Sequence, residues 1–347
     1  MPPGEPEGVR LHREAFVLDL HAHAQGFVPA PFRAAWRALT PRAPDAVGLD
    51  RMRPRGLDAL VACAVGDGVV TRTHLRRTPW DAVEAQLVGA TDEALTAGAV
   101  VARSVQELQQ AYRDRTPAVL LGVEGADALG ADVDRVDAWA ERGVRTVGLV
   151  HLGDNALGTT GLPWQRYAGP LPVRRRARRG LTELGARVVR RCQERGLLVD
   201  VAHADRATLL DVVGTTSAPV VASHAGARAL QDFPRYLADD ELVAVAGTGG
   251  LVGLWPFRHR RAGVRDVADL VAHARHVADL VGPEHLALGT DANGVPGVME
   301  GFEGGDLSRV TCALLDAGFT EPEVRGVLGG NALRVLAEVE RCGHGSG

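Results

Sequence analysis

The chain has 347 residues, and 46% of them are hydrophobic, which is enough to build the core of one large α/β barrel. Its net charge is -4, so it lacks the global positive field of a nucleic-acid-binding protein, and we expect no nucleic-acid partner. All 39 basic residues are arginine, which excludes chemistry that depends on a lysine side chain.

The four cysteines, Cys63, Cys192, Cys312 and Cys342, are far apart in the sequence and form no CxxC pair. This spacing favours reduced thiols over a thiolate zinc site or a disulfide framework. The N-terminal stretch lacks the basic and apolar segments of a secretory signal, and no apolar run reaches membrane-spanning length. We therefore expect a cytoplasmic protein with no membrane partner.

Eight short apolar runs, most of them bounded by Gly, Pro or Asp, predict eight strands. Near-continuous runs of Val, Leu and Ala are typical of parallel strands that are covered on both faces. In chain order the runs are FVLDLH, DALVACAV, AVLLGVEG, TVGLVHLG, LLVDVAHA, PVVASHAG, GLVGLWPF and HLALGTDAN.

Segments with a helical period of 3.6 residues separate most of these runs, and several end in a glycine that is typical of a helix C-terminus. Examples are WDAVEAQLVGATDEALTAG, VDRVDAWAERG and TELGARVVRRCQERG. Eight strands that alternate with helices favour a (β/α)8 TIM-type barrel over an open doubly wound sheet. No GxGxxG motif follows the first strand, which also argues against a dinucleotide-binding fold.

The barrel is expected to form a single catalytic domain over residues 16–340. We predict that residues 1–15 are a frayed N-terminal extension and that residues 341–347 are a disordered tail. The stretch from 159 to 180 is rich in Pro and Gly and predicts a long loop after the fourth strand, over the mouth of the barrel. We interpret its RRRARR cluster as a solvated arginine face rather than a site for an anionic partner.

The first strand ends in the sequence HAH, which is the first indication of chemistry. A single histidine at a strand end is most often a hydrogen-bonded structural group. His21 and His23, however, are two residues apart on an extended chain, so their side chains point to the same face. Imidazole is the commonest neutral metal ligand, and a metal site is therefore a hypothesis that other strand ends must support.

Further polar side chains stand at the C-terminal ends of other predicted strands, where the active sites of such barrels lie. Burying these groups unpaired would be costly, so we predict that they share a metal site. Imidazoles with one carboxylate and no thiolate favour zinc over calcium or magnesium. Because the histidines exceed the needs of one catalytic zinc, we predict two ions bridged by Glu124, with a bridging hydroxide as the nucleophile. The strand-end residues are His21, His23, Glu124, His151, His203, His224 and Asp291.

Four segments, taken in order, form a specific pattern: GLTELGARVVRRCQERGLLVDVAHAD, PVVASHAGARAL, LALGTDANGVPGVMEGFEG and VLGGNALRVLAEVE. In these segments the sequence resembles the membrane dipeptidase family, also called renal dipeptidases, and the resemblance covers nearly the whole chain. It implies a binuclear zinc peptidase on an amidohydrolase-type barrel. By this resemblance His21 binds one zinc ion, Glu124 bridges the two ions, and His203 and His224 bind the second.

The resemblance also implies roles for three residues around the two ions. His151 would stabilise the tetrahedral oxyanion, Arg235 would bind the substrate carboxylate, and Asp291 would protonate the leaving nitrogen. A guanidinium group matches a carboxylate in two-point geometry. Only the resemblance singles out Arg235 among the 39 arginines.

One position departs from the family pattern. The family has an aspartate two residues after the first histidine, and this chain has His23. A neutral imidazole leaves the site more positive than a carboxylate would, so we expect weaker occupancy of the ion at His21 and His23. The departure also leaves open whether the substrate is an ordinary dipeptide.

The leading hypothesis is a zinc-dependent hydrolase, a metallo-dipeptidase that cleaves the amide bond of a dipeptide or dipeptide-like metabolite with a free carboxylate. One alternative is a related amidohydrolase that acts on an N-acyl amino acid or a lactam. The other alternative is a non-catalytic barrel that binds a ligand, and the retained proton donor Asp291 argues against it. The substrate side chains, their stereochemistry and the presence of a homodimer stay open.

Overall fold

The computed structural model describes residues 5–39, 48–168, 172–173, 176–259, 262–294, 297–302 and 305–344. Eight parallel strands form a closed barrel in which each strand pairs with the next along the chain, which confirms the predicted fold class. We number these strands β1 (Leu18–Ala22), β2 (Ala59–Val65), β3 (Ala118–Glu124), β4 (Val144–Gly148), β5 (Leu198–Asp200), β6 (Val220–Ala225), β7 (Leu251–Leu254) and β8 (Leu286–Leu288).

Among the described residues, three shorter strands lie outside the barrel. Val100–Val101 pairs with the first two residues of β3, and Arg258–His259 forms an antiparallel pair with Ala262–Gly263. Every residue of β2 and β3 is buried, because side chains fill the inside of the barrel and helices cover the outside. This two-sided burial explains why the strands appear in the sequence as continuous apolar runs.

Helices connect the strands, and several begin with a side chain that accepts a backbone N–H of the first turn. These N-cap residues are Thr78, Ser104, Thr182, Asp205 and Asp266. The helices are α1 (Glu7–Glu14), α2 (Ala30–Leu39), α3 (Pro79–Thr96), α4 (Val105–Arg113), α5 (Arg135–Arg142), α6 (Gln165–Ala168), α7 (Glu183–Glu194), α8 (Arg206–Thr215), α9 (Asp239–Gly247), α10 (Val267–Val281), α11 (Ser308–Asp316), α12 (Glu321–Arg325) and α13 (Asn331–His344), with a π-helical turn at Gly326–Gly330. Within the described residues, no helix combines the length and the apolarity needed to cross a bilayer.

A buried cluster closes the N-terminal end of the barrel. It joins Ala332 and Val335 of α13 to the first residues of five strands. Because α13 packs across this end, the opposite rim, at the C-terminal ends of the strands, carries the polar side chains. The strand residues of the cluster are Leu18, Ala59, Ala118, Leu198 and Leu251.

The seam between β8 and β1 closes the barrel. Asp19 pairs in register with Leu288, and its buried carboxylate accepts the N–H of Thr290 at 2.8 Å. Past the end of β8, the N–H of Asp291 donates to the carbonyl oxygen of His21 at 2.8 Å. Asp291 has a φ of 53°, in the left-handed region, so the chain turns back over the end of β1.

The expectation that residues 1–15 are frayed is wrong for residues 7–14, which form α1. This helix packs against α11: Leu11 is fully buried, and a Cβ added to Gly8 would lie 2.5 Å from Sγ of Cys312. The partner helix is distant in the sequence, so no local pattern indicates the contact. The predicted disordered tail is likewise wrong for residues 341–344, which extend α13, and residues 345–347 lie outside the described residues.

The loop predicted from 159 to 180 contains one short helix, α6. The described arginines of its cluster, Arg176, Arg178 and Arg179, are exposed, as the sequence predicts, and Arg179 also pairs with Asp205 and lies 3.5 Å from Asp154. The loops after β4 and β5 supply these two carboxylates, and they anchor this part of the chain beside the rim of the barrel. Arg174 and Arg175 lie outside the described residues.

Candidate metal centre

The structure brings all seven predicted strand-end residues to the same end of the barrel. His21 and His224 lie within β1 and β6, and Glu124 is the last residue of β3. The other four follow the ends of β1, β4, β5 and β8 by one to three residues: His23, His151, His203 and Asp291.

Glu124 stands at the centre of this cluster, and only 3% of it is exposed. Five imidazoles point one nitrogen each at its carboxylate. Burial alone would raise the pKa of Glu124, but the surrounding histidines, His151 foremost, hold it well below its ordinary value. From Oε1 the distances are 3.0 Å to Nε2 of His203, 3.3 Å to Nε2 of His21 and 3.6 Å to Nε2 of His224, and from Oε2 they are 3.4 Å to Nε2 of His151 and 3.5 Å to Nε2 of His23.

Two buried atoms that are suited to bind a metal lack a hydrogen-bond partner in the described part of the chain. His21 Nε2 and Glu124 Oε1 are buried and make no hydrogen bond there. The Nε2 atoms of His203 and His224 are 3.1 Å apart, and burial lowers the pKa of both imidazoles well below its ordinary value. Both rings are therefore neutral, and their nitrogens share one buried space with the Glu124 carboxylate, which suits a cation.

His21 differs from these two rings in its electrostatic surroundings. Burial lowers its pKa, but the Cys63 thiol and the Glu124 carboxylate outweigh burial and hold the pKa well above its ordinary value. This position therefore attracts a cation, which can be a proton or a metal ion. The residues fit a metal centre, and their nitrogen and carboxylate donors suit zinc. Three sets of ligand atoms each lie within 4.8 Å of one another: His21, His23 and Asp291; His21, Asp200 and His224; and Glu124, His151 and His203.

His23, the residue that departs from the family pattern, points into the centre. Its Nδ1 donates to the carbonyl oxygen of Cys63 at 2.9 Å, which leaves Nε2 free to act as a ligand. Nε2 lies 3.3 Å from Oδ1 of Asp291, and the ring stacks on Phe27 with centroids 4.5 Å apart. His23 therefore points into the cluster and not away from it, and its role as a metal ligand stays a prediction.

Asp67 is a residue of the site that the sequence analysis missed. It accepts a hydrogen bond from Nδ1 of His151, and its other oxygen accepts the N–H of Val70 at 3.1 Å. Burial lowers the pKa of His151, but the carboxylates of Glu124 and Asp67 outweigh burial and raise it. Asp67 follows the end of β2 by two residues, so the rule that identified the other strand-end residues would have found it.

Arg235 lies beside the metal centre as a buried cation, with only 2% of it exposed. Its Nε donates to the carbonyl oxygen of Ala202 at 3.3 Å, and its Nη2 donates to that of His224 at 3.4 Å. The guanidinium also packs over the ring of Trp255, 4.7 Å from the centroid. Nη1 has no hydrogen-bond partner among the described residues, so both of its N–H groups are uncommitted.

Comparison with known proteins identifies a family and a shared fold. The model of the membrane dipeptidase family (peptidase family M19) matches residues 7–346. Dipeptidase aclJ of Aspergillus oryzae is 32% identical over 228 residues, which are 64% of this chain and 51% of that protein. Dipeptidase tcpJ of Claviceps purpurea is 28% identical over 247 residues, which are 69% of this chain and 55% of that protein. The chain thus spans about half the length of these curated relatives.

Two solved structures share the barrel over almost their whole length. One is a metallo peptidase from Rhodobacter sphaeroides liganded with a phosphinate mimic of the dipeptide L-Ala-D-Ala. It has a TM-score of 0.79 and 22% identity, and the match covers 94% of this chain and 99% of that chain. The other is an amidohydrolase from Pseudomonas aeruginosa, with a TM-score of 0.76, 22% identity and coverage of 96% and 99%. At this level of identity the likeness shows a common fold.

Proposed function

We propose, from the premise that this chain belongs to the membrane dipeptidase family, that it is a zinc-dependent dipeptidase. Its substrate would be a dipeptide or dipeptide-like metabolite with a free carboxylate, cleaved at the amide bond. The observation that carries the proposal is the convergence of five imidazoles on the buried Glu124, next to a buried arginine that has an uncommitted donor.

In this proposal His21 and His23 would hold one zinc ion, His203 and His224 would hold the other, and Glu124 would serve both. Bound zinc would polarise the scissile carbonyl and lower the pKa of a water molecule, which supplies the nucleophile near neutral pH. The geometry of His23 supports its role as a ligand, because its Nδ1 is already committed to a backbone carbonyl and its Nε2 faces the centre.

Arg235 would bind the substrate carboxylate through Nη1. Hydrogen bonds between a guanidinium and a carboxylate are stronger than neutral ones, and exclusion of water strengthens them further. The contacts to two backbone carbonyls and the stacking on Trp255 hold the guanidinium in one orientation before substrate arrives. A substrate without a carboxylate would leave this buried donor unpaired, which disfavours it.

His151 and Asp291 would act on the reacting groups. His151 would donate from Nε2 to the oxyanion that develops on the scissile carbonyl, while Asp67 holds the ring through Nδ1. Asp291 would protonate the leaving nitrogen, and its left-handed backbone aims the carboxylate at the centre, where Oδ2 lies 4.0 Å from Nε2 of His224. A cytoplasmic location and a homodimer stay predictions from the sequence.

The test combines metal analysis with a substrate panel. Zinc is measured in the purified protein by mass spectrometry. Hydrolysis is then followed for dipeptides of both stereochemistries, including D-residues at the C-terminal position, with dipeptide amides, N-acetyl amino acids and lactams as matched comparisons. We expect hydrolysis of the dipeptides with a free carboxylate, loss of activity on chelation and recovery on adding zinc.

Two results would contradict the proposal in different ways. A protein that binds no metal and hydrolyses nothing in the panel would support the ligand-binding barrel. Hydrolysis of N-acetyl amino acids or lactams without hydrolysis of dipeptides would support the related amidohydrolase.

A further inference from the structure

A single buried hydroxyl group lies behind the metal centre, between two of the predicted ligands. Ser223 precedes His224 in β6 and is only 2% exposed. Its Oγ lies 2.5 Å from Oδ2 of Asp200, 2.9 Å from Nδ1 of His224 and 3.2 Å from Nδ1 of His21. These contacts use the imidazole nitrogens that face away from Glu124.

The direction of each hydrogen bond follows from counting donors and acceptors. The other oxygen of Asp200 accepts the N–H of Ala202 at 2.9 Å and the N–H of Ser223 at 3.0 Å. With Asp200 ionised, its carboxylate only accepts hydrogen bonds, so the Ser223 hydroxyl donates its one proton to Oδ2. The two lone pairs of the hydroxyl oxygen can then only accept, and Nδ1 of His21 and Nδ1 of His224 donate to it.

With the Nδ1 proton of each ring directed at Ser223, Nε2, the nitrogen that faces the centre, is the one that can bind a metal ion. The Nε2 atoms of His21 and His224 lie 3.3 Å and 3.6 Å from Oε1 of Glu124. Metal-binding imidazoles characteristically donate their other N–H to a nearby acceptor, which fixes the tautomer and the ring orientation. Here one acceptor serves two rings on different strands, β1 and β6.

The backbone around Ser223 is held closely in place. A Cβ added to Gly253 or to Gly289 would lie 1.7 Å from the carbonyl oxygen of Ser223, so the neighbouring strand segments approach it as only glycine allows. Cys63 offers His21 Nδ1 a second acceptor, but its Sγ is farther away, at 3.6 Å. Of the two acceptors near Nδ1 of His21, the Ser223 hydroxyl is therefore the closer one, and the close packing holds the backbone that carries it.

We propose that Ser223 and Asp200 form a positioning pair that holds His21 and His224 with the proton on Nδ1, so that one hydroxyl prepares a ligand for each of the two ions. This inference rests on the proposed function, in which His21 serves one ion and His224 serves the other. It follows that loss of the hydroxyl weakens both ions together, although Ser223 touches neither.

The test is Ser223→Ala, followed by chelator competition to give the zinc affinity at each of the two steps. We expect both affinities to fall by about 10- to 100-fold, the usual cost of losing a partner of a metal ligand. Nitrogen NMR of the metal-free protein gives a second readout at His224, whose ring is neutral. In the wild type the proton resides on Nδ1, and in Ser223→Ala it should distribute between Nδ1 and Nε2.

Two control variants separate positioning from a general effect on the fold. The buried hydroxyl of Thr311 lies 2.8 Å from Nδ1 of His12, outside the metal centre. Thr311→Val removes this hydroxyl and should leave both zinc affinities unchanged. Cys63→Ala removes an acceptor that only His21 contacts and should weaken at most one ion. In Asp200→Asn the one amide oxygen is needed by the backbone N–H groups of Ala202 and Ser223, so an NH2 group faces the Ser223 hydroxyl, which can no longer donate there. At least one ion should then weaken, and unchanged zinc affinities would contradict the inference; this variant serves if Ser223→Ala does not fold.

Unchanged zinc affinities in Ser223→Ala, or loss at one ion only, would overturn the inference. If the wild type itself binds no zinc, the proposed function fails, but the inference is still tested by the position of the proton on His224 in the metal-free proteins. A proton that stays on Nδ1 without the Ser223 hydroxyl would refute the positioning role.

Discussion

Replacing Arg235 with methionine should remove recognition of the substrate carboxylate while leaving the metal centre intact. Methionine fills a similar volume but carries no donor and no charge. Two of the five N–H groups of Arg235 already donate to the carbonyl oxygens of Ala202 and His224, and Nη1, which carries two more, is unpaired among the described residues. The loss is therefore at least one charge-assisted hydrogen bond.

A hydrogen bond to a charged group contributes about 1.5–3 kcal/mol, and about 1.4 kcal/mol is a factor of ten, so kcat/KM should fall by about 10- to 150-fold. The assay compares Arg235→Met with the wild type on one dipeptide and on the matching dipeptide amide, which lacks the carboxylate. The variant should lose activity on the acid and change little on the amide. Arg206→Met removes an exposed charge that pairs with Asp240, and it should behave like the wild type.

Equal losses on the acid and on the amide would refute this reasoning, because they would show that Arg235 supports the site in general rather than binding the carboxylate. Zinc content measured in the same preparations distinguishes loss of recognition from loss of metal. A variant with full zinc and unchanged kcat/KM on the acid would also remove Arg235 from the binding site.

Three further predictions concern single side chains. Glu124→Gln should lower turnover by at least about 100-fold and reduce zinc content while the thermal midpoint changes little, because the carboxylate serves the metal centre rather than the core; an unchanged turnover with intact zinc would exclude the bridging role. His23→Asp makes the centre more anionic and should raise zinc occupancy towards two ions per chain, whereas a wild type that already holds two ions of equal affinity would contradict this. Burial lowers the pKa of His273 from 6.5 to about 4, and Nδ1 accepts the N–H of Ala227. As the pH falls, the unfolded chain therefore binds a proton at His273 before the folded chain does. The part of the free energy of unfolding that the neutral ring contributes above pH 6.5 is lost as the pH falls towards 4. In urea unfolding at a series of pH values, the free energy of unfolding of His273→Gln should depend less on pH over this range. A dependence parallel to that of the wild type would show that His273 does not contribute.

The ends of the strands could be predicted because of the geometry of a closed parallel barrel. All C-terminal strand ends lie on one rim, so residues as distant in sequence as Glu124 and His224 become neighbours once the eight apolar runs are identified. The apolar run of β2 ends at Val65 and Asp67 stands two residues beyond it, after Gly66, so the run alone does not mark this carboxylate as a strand-end residue.

Other features depend on contacts that no local pattern carries. The helix α1 forms against α11, and the hydrogen bond between His12 and Thr311 spans 299 residues. Arg235 lies in a connecting segment, and its burial follows from the packing of Trp255 and two backbone carbonyls around it. The resemblance to a family pointed to this arginine, but its uncommitted donor is visible only in three dimensions.

The seam between β8 and β1 has a consequence for the order in which the molecule is assembled. Across it, Nδ2 of Asn293 donates to the carbonyl oxygen of His23 at 2.7 Å, over a separation of 270 residues. Ordering so long a loop costs chain entropy before any contact compensates for it, so the seam is expected to form after the sequential strand pairs. A nascent chain that has completed β7 carries both histidines of β1 but neither β8 nor Asp291. The residues around Glu124 are therefore complete only when β8 joins β1, so closure of the barrel and completion of this cluster coincide.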